Sequence, residues 1–186
     1  MNPTSNKNDF EDLTTNLKDL AYSYLEKYNP SKQQLKVYLL KKYLTKIKGS
    51  KSKKEVTSII NEIVINLEKN KFLNDEMYSD SKARMFLRRG YSLNKINLSL
   101  RRKGIDDKYV KRSIEKIKDN QIEPDFVSAL KLCKKRRIGP LRPENNRELF
   151  YKKDMGILAR GGFSFDLSKR VLDIDLEEFK KLIKII

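Results

Sequence analysis

The chain contains no histidine, and so lacks the residue on which Ser-His-Asp and Cys-His catalysis and imidazole metal ligation depend. Its single cysteine excludes an internal disulfide. Cys133 lies on an apolar stripe and reads as a small buried residue, which places the protein in the cytoplasm. Seven glycines and five prolines are few for this length, and alternating Val/Thr-rich runs are missing, so β-sheet is not expected. No apolar run approaches the roughly 20 residues of a membrane span, and the first residues lack a signal-peptide core. No glycine-rich loop fits a nucleotide: Gly161-Gly162 lacks both the Lys-Ser/Thr pair and a preceding strand. One acidic constellation remains, Asp173, Asp175, Glu177 and Glu178, whose residue types can hold Mg²⁺ for phosphodiester hydrolysis. Such a run more often opens a helix, here one carrying Leu176, Phe179, Leu182, Ile183 and Ile186. Neither cofactor nor metal is expected, and the chain reads as a binding protein rather than an enzyme.

What the sequence has in abundance is amphipathic helix. Residues 72–117 predict three short helices joined by tight turns. The middle one carries Leu93, Ile96 and Leu100 as one apolar stripe. Gly104 falls where a left-handed residue ends that helix, and Ile105 can fold back onto Leu100. Asp106 suits the N-cap of the next helix, with Ile105 and Val110 as a hydrophobic staple. The Gly-Ile-Asp triplet thus ends one helix, starts another and fixes the corner between them.

The same design recurs. Leu158, Gly162, Phe163 and Ser164 repeat the roles of Leu100, Gly104, Ile105 and Asp106, each 58 residues later. Leu167 and Val171 follow Val110 and Ile114 at 57 residues. Pro124 suits a first helical turn, followed by a stripe of Phe126, Ala129, Leu130 and Cys133. Near the N-terminus, Leu13, Leu17, Leu20 and Tyr24 stripe a helix closed by Asn29-Pro30. Ser31 with Gln34 forms a capping box before Leu35, Tyr38 and Leu39. Ser52 with Glu55 forms a second, before Val56, Ile59, Ile60, Ile63 and Leu67. Residues 45–51 form a polar loop in place of a Gly-Ile-Asp corner. The reading is an all-α protein of tandem three-helix units, residues 1–72, 73–122 and 123–186, the last with a C-terminal helical tail. A unit of about 50 residues buries too little surface to stand alone, so neighbours share interfaces.

Charge supplies the second signal. The chain has 42 basic and 25 acidic residues, a net of +17. Residues 1–30 are net −2, whereas residues 31–72, 73–122 and 123–186 carry +8, +6 and +5. A basic surface this extended attracts polyanions by counterion release. Thirty of the 42 cations are lysines, so clusters of arginine, which grips phosphate in a bidentate fork, point to specific contacts. The first is Arg84, Arg88 and Arg89, spaced along one side of a helix. Two further clusters, Arg101, Arg102 and Lys103, and Lys134, Lys135, Arg136 and Arg137, each end a helix, where helix-dipole complementarity is the plainer account. Arg160, before Gly161-Gly162, completes the candidate binding set.

Three segments stand out together: Phe72-Leu73-Asn74-Asp75-Glu76, Ser92 onward to Arg101-Arg102-Lys103-Gly104-Ile105, and Leu158-Ala159-Arg160-Gly161-Gly162-Phe163-Ser164-Phe165-Asp166 with Arg170-Val171-Leu172. On these segments the chain resembles the RecX regulatory proteins, modulators of the RecA recombinase. The resemblance covers the last two-thirds of the chain, residues 1–50 matching only in pattern. It implies tandem three-helix units in an elongated, curved molecule that lodges in the groove of a RecA filament on single-stranded DNA. There such a monomer would restrain filament growth, ATP hydrolysis and strand exchange. The chain departs from the family at Asn74, where Asp is commoner, at Gly161, where a basic residue is usual, and in a long basic loop over residues 45–54. Two rival readings stand beside it. One is a stand-alone nucleic-acid-binding protein that uses Arg84, Arg88 and Arg89. The other is a metal-dependent nuclease built on Asp173 to Glu178.

Overall fold

The computed structural model describes residues 3–47 and 52–185. Among these residues the fold is all-α, with ten α-helices and no strand: α1 (Pro3–Lys27), α2 (Lys32–Lys42), α3 (Lys53–Lys69), α4 (Asp75–Arg88), α5 (Leu93–Arg101), α6 (Asp107–Asn120), α7 (Pro124–Arg136), α8 (Glu144–Arg160), α9 (Phe165–Leu172) and α10 (Leu176–Ile185). The chain divides into two compact units, one holding Met1–Tyr78 with Lys103–Ile105, the other Ser79–Arg102 with Asp106–Ile186.

In the first unit the apolar stripes of α1, α2 and α3 meet, burying Leu13, Leu17, Leu35, Leu39, Val56 and Ile60. Local chemistry starts these helices where the sequence predicts. Ser31 Oγ accepts from Gln34 N at 3.2 Å while Gln34 Oε1 accepts from Ser31 N at 3.1 Å, a complete capping box. Ser52 and Glu55 form the second, at 3.3 and 2.8 Å. Asp75 adds a carboxylate at the positive end of α2, accepting from Lys32 N at 2.9 Å.

Of the loop expected over residues 45–51, residues 45–47 are helical. Tyr43–Ile47 continues α2 as a π-helical turn, and residues 48–51 lie outside the described residues. Buried Tyr43 and half-buried Ile47 pack on the first core, and these apolar anchors hold the backbone helical beyond the polar signal. At the far end of the basic loop expected over residues 45–54, Lys53 and Lys54 already belong to α3.

Gly104 has φ +74°, and a Cβ there would overlap the Gln33 side chain. Ile105, Leu100 and Val110 are all buried. Gly104→Val is expected to cost about 1–3 kcal/mol, because a β-branched residue resists positive φ and collides with Gln33. Thermal unfolding should fall by several degrees, since about 1 kcal/mol corresponds to roughly 2–4 °C at this size. Adding Gln33→Ala removes the overlapping Cγ but keeps the Cβ and leaves the strain, so it should restore only part. Full restoration would show that the left-handed backbone costs nothing here.

In the second unit Ala129, Leu130, Cys133, Leu158, Val171 and Phe179 form a core from α7, α8, α9 and α10. Burial, with the nearby Asp154 charge, pushes the Cys133 thiol up to about 12. Asp154 is itself 1% exposed. It accepts from Arg142 Nε at 2.6 Å, Arg142 Nη2 at 2.7 Å and the Gly139 amide at 3.0 Å. The Arg142 guanidinium lies 4.4 Å over the Phe150 ring, and its bond to Asp154 raises it above its usual range. Arg147 Nη2 donates to the carbonyls of Leu172 and Ile174 at 2.8 and 2.7 Å, tying α8 to the end of α9. Pro124 opens α7 at its first position. Asp106, Ser92 and Ser164 cap α6, α5 and α9 by accepting from Lys108 N, Lys95 N and Leu167 N.

Candidate nucleic-acid interface

Three helices of the second unit end beside one another. α4 runs out into Arg89-Gly90-Tyr91, α7 ends at Arg136 and α8 at Arg160. Two bonds join the first and third ends. Ser92 N donates to the Gly161 carbonyl at 3.3 Å, and Lys95 Nζ to the Arg160 carbonyl at 2.8 Å. The approach is close because Gly162, at φ +87°, has no Cβ to overlap the Ser92 hydroxyl. Between the helix ends lies a concavity of about 720 Å³, lined by Arg89, Gly90, Tyr91, Lys95, Leu132, Lys135, Arg136, Ile157, Arg160 and Gly161.

Five of those lining residues are cations and none is acidic. Among the described residues, none of the five forms an ion pair with a carboxylate. Arg89, Lys135, Arg136 and Arg160 are exposed, and Lys95 is half-buried. Lys95 is held in place twice, by the Arg160 carbonyl and by the Tyr91 ring, whose centroid lies 4.5 Å from Nζ. Tyr91 in turn stacks parallel on Phe86 at 5.2 Å.

Helix-dipole complementarity accounts for part of this cluster. Three helix C-termini each present about half a negative charge, roughly −1.5 together. Set against five cations, that leaves an excess of about +3.5. The arginines among them offer the planar fork that binds phosphate bidentately.

The candidate residues separate. Arg89, Lys135, Arg136 and Arg160 line the concavity. Arg84 instead lines a smaller hollow of about 300 Å³ with Asp80, Ser113 and Lys116. There Asp80 accepts from Ser113 Oγ at 2.6 Å and Lys116 Nζ at 2.5 Å. Burial pushes the Asp80 carboxyl up, but those bonds and the charges of Lys116 and Arg84 outweigh it and leave its pKa below the usual value. Arg88, the last residue of α4, lines neither hollow. Arg101 faces Asp107 at 3.1 Å, and Arg102 is the exposed cap of α5. Lys103 belongs to the first unit, where its carbonyl accepts from Ser31 Oγ at 2.8 Å. Lys134 and Arg137 are exposed at the end of α7 but outside the lining.

Sequence reasoning missed Lys95 and Tyr91. Lys95 reads as ordinary helix body, three residues after a serine cap. The available signal was an arginine directly before glycine at two helix ends, Arg89-Gly90 and Arg160-Gly161. Two residues of the acidic run considered for metal make structural hydrogen bonds. Asp175 Oδ1 accepts from Glu178 N at 2.8 Å at the start of α10, and Asp173 accepts from the Tyr151 hydroxyl at 3.0 Å. No helix among the described residues is long and apolar enough to cross a membrane.

No protein-family model matches the sequence. The chain is 34% identical over 161 residues to the regulatory protein RecX of Myxococcus xanthus, an alignment covering 86% of this chain and 85% of that protein. It is 32% identical over 131 residues to the regulatory protein RecX of Corynebacterium efficiens, covering 66% of this chain and 61% of that one. A crystal structure of a regulatory protein RecX has the same fold, with a TM-score of 0.61 at 20% identity over 88% of this chain and 73% of the other. Sharing a third of its residues along most of the Myxococcus protein, the chain belongs to the RecX regulatory proteins.

Proposed function

We propose that this chain binds a RecA recombinase filament on single-stranded DNA and restrains its growth, ATP hydrolysis and strand exchange, and so modulates recombinational repair in the cytoplasm. The observation that carries this reading is a hollow of five cations without a carboxylate, in a chain of a regulatory family. A filament on DNA is a polyanion bounded by protein. The hollow supplies phosphate contacts. The rest of the chain, taken as three-helix units at residues 1–72, 73–122 and 123–186, supplies surfaces for successive recombinase subunits. Restraint of this kind comes from occupancy, so the protein needs neither a phosphate cradle nor a nucleophile.

The decisive experiment adds the protein to a cognate recombinase that saturates single-stranded DNA in the presence of ATP. The steady-state rate of hydrolysis is expected to fall, and to stay low when more DNA is supplied with the recombinase still saturating. Full relief by added DNA would mean that the protein merely competes for strand, the stand-alone binder. Alone with Mg²⁺ the protein is expected to hydrolyse neither ATP nor DNA. Cleavage of DNA, lost on changing Asp173 and Asp175 to alanine, would establish a nuclease instead.

A further inference from the structure

We infer that the concavity at the ends of α4, α7 and α8 takes a short run of consecutive phosphates, free or carried by a nucleotide, in competition with a nucleic-acid strand. The inference uses the site of the proposed function but not its protein partner.

Size and charge together favour a compact ligand. A hollow of about 720 Å³ has the volume of a sphere roughly 11 Å across. A strand with one phosphate per about 3.4 Å, its B-form spacing, brings about three charges into that span. A nucleoside triphosphate brings roughly four and free tripolyphosphate roughly five, since a terminal phosphoryl carries close to two charges and an internal one carries one. Four negative charges match the excess of about +3.5 that remains after the helix ends are counted. Donor geometry agrees. Arg89, Arg136 and Arg160 present guanidinium forks, and Lys95 spends one of its three N–H donors on the Arg160 carbonyl, leaving two for the ligand. The hollow has no acidic residue to hold Mg²⁺ and no Lys-Ser/Thr cradle, so the ligand is bound without being hydrolysed. Because the same cations serve the strand, a polyphosphate and DNA exclude each other. The regulator's hold on nucleic acid therefore weakens as the phosphate ligand rises.

Titration calorimetry on the full chain at about 50 mM salt, with sodium tripolyphosphate, ATP and orthophosphate as separate ligands, tests this. One tripolyphosphate per chain is expected, bound at least about tenfold more tightly than orthophosphate, because several forks close on it at once. Arg136→Gln with Arg160→Gln should weaken it by about tenfold or more. Lys134→Gln with Arg137→Gln, at the same helix end but outside the lining, should leave it unchanged. Tripolyphosphate should also displace a labelled single-stranded oligonucleotide. Equal binding of ATP and tripolyphosphate assigns recognition to the phosphates alone; tighter ATP adds a contact from the nucleoside. Several weak sites, equal effects of the two double variants, no preference over orthophosphate, or an oligonucleotide that is not displaced would each overturn the inference. A protein that ignores tripolyphosphate yet slows the recombinase would overturn it and leave the proposed function standing.

Discussion

Asp154→Ala is expected to destabilise the second unit by about 3–5 kcal/mol, the usual result of removing one partner from a buried ion pair. The side chains of Asp154 and Arg142 are 2% and 19% exposed. Deleting the carboxylate leaves a partly covered guanidinium on Phe150 without its counter-charge, and leaves the Gly139 amide without its acceptor. In urea, with a slope near 2 kcal/mol per molar, the midpoint for this unit should fall by about 1.5–2.5 M. Replacing both partners, Arg142→Met with Asp154→Leu, removes the stranded charge, and such swaps are often neutral. Recovery should be incomplete here, because the Gly139 amide remains unpaired at about 1–3 kcal/mol. A loss below about 0.5 M for Asp154→Ala would mean that water reaches the pair and that it behaves as a surface bridge.

Reversing Arg89, Arg136 and Arg160 to glutamate changes the lining from +5 to −1. Affinity for a short single-stranded oligonucleotide should fall by about 100-fold or more at 50 mM salt, with helical circular dichroism unchanged because all three side chains are exposed. The salt dependence is a stricter test. If all five cations neutralise phosphates, log K should fall with log salt at a slope near −3.5, or about 100-fold from 50 to 200 mM. The triple variant should be nearly flat. Arg84→Glu with Arg88→Glu should have a much smaller effect, since neither residue lines the concavity. Equal loss from that pair would move the site onto the body of α4. Unfolding of the triple variant would make those arginines structural.

Local chemistry was legible in the sequence. Ser31-Gln34, Ser52-Glu55, Asp106 and Ser164 cap helices through residues two or three positions away, so reading the chain is enough to find them. Gly104 and Gly162 were legible as well, because a left-handed turn admits few other residues. Long-range partnerships were not. Asp75 capping α2, Asp125 accepting from Leu93 N at 2.7 Å and Asp154 holding Arg142 and Gly139 are set by tertiary placement. The candidate site divides along the same line. Its arginines stood out, yet only folding places Arg89 with Lys135, Arg136 and Arg160. Spacing along one helix could not reveal this, because Arg89 lies just beyond the end of α4.

Cys133 gives the protein a built-in clock. A thiol pushed up to about 12 and closed off from solvent has almost no thiolate at neutral pH, so alkylating reagents should ignore it in the native state. It reacts only when the core of the second unit opens. Its labelling rate therefore measures the free energy of that opening directly. With no other sulfhydryl in the chain, the measurement needs no engineered background. Any ligand that binds only the closed form must slow the clock by the factor 1 + [L]/Kd, so one native residue can report on binding at the ends of α4, α7 and α8.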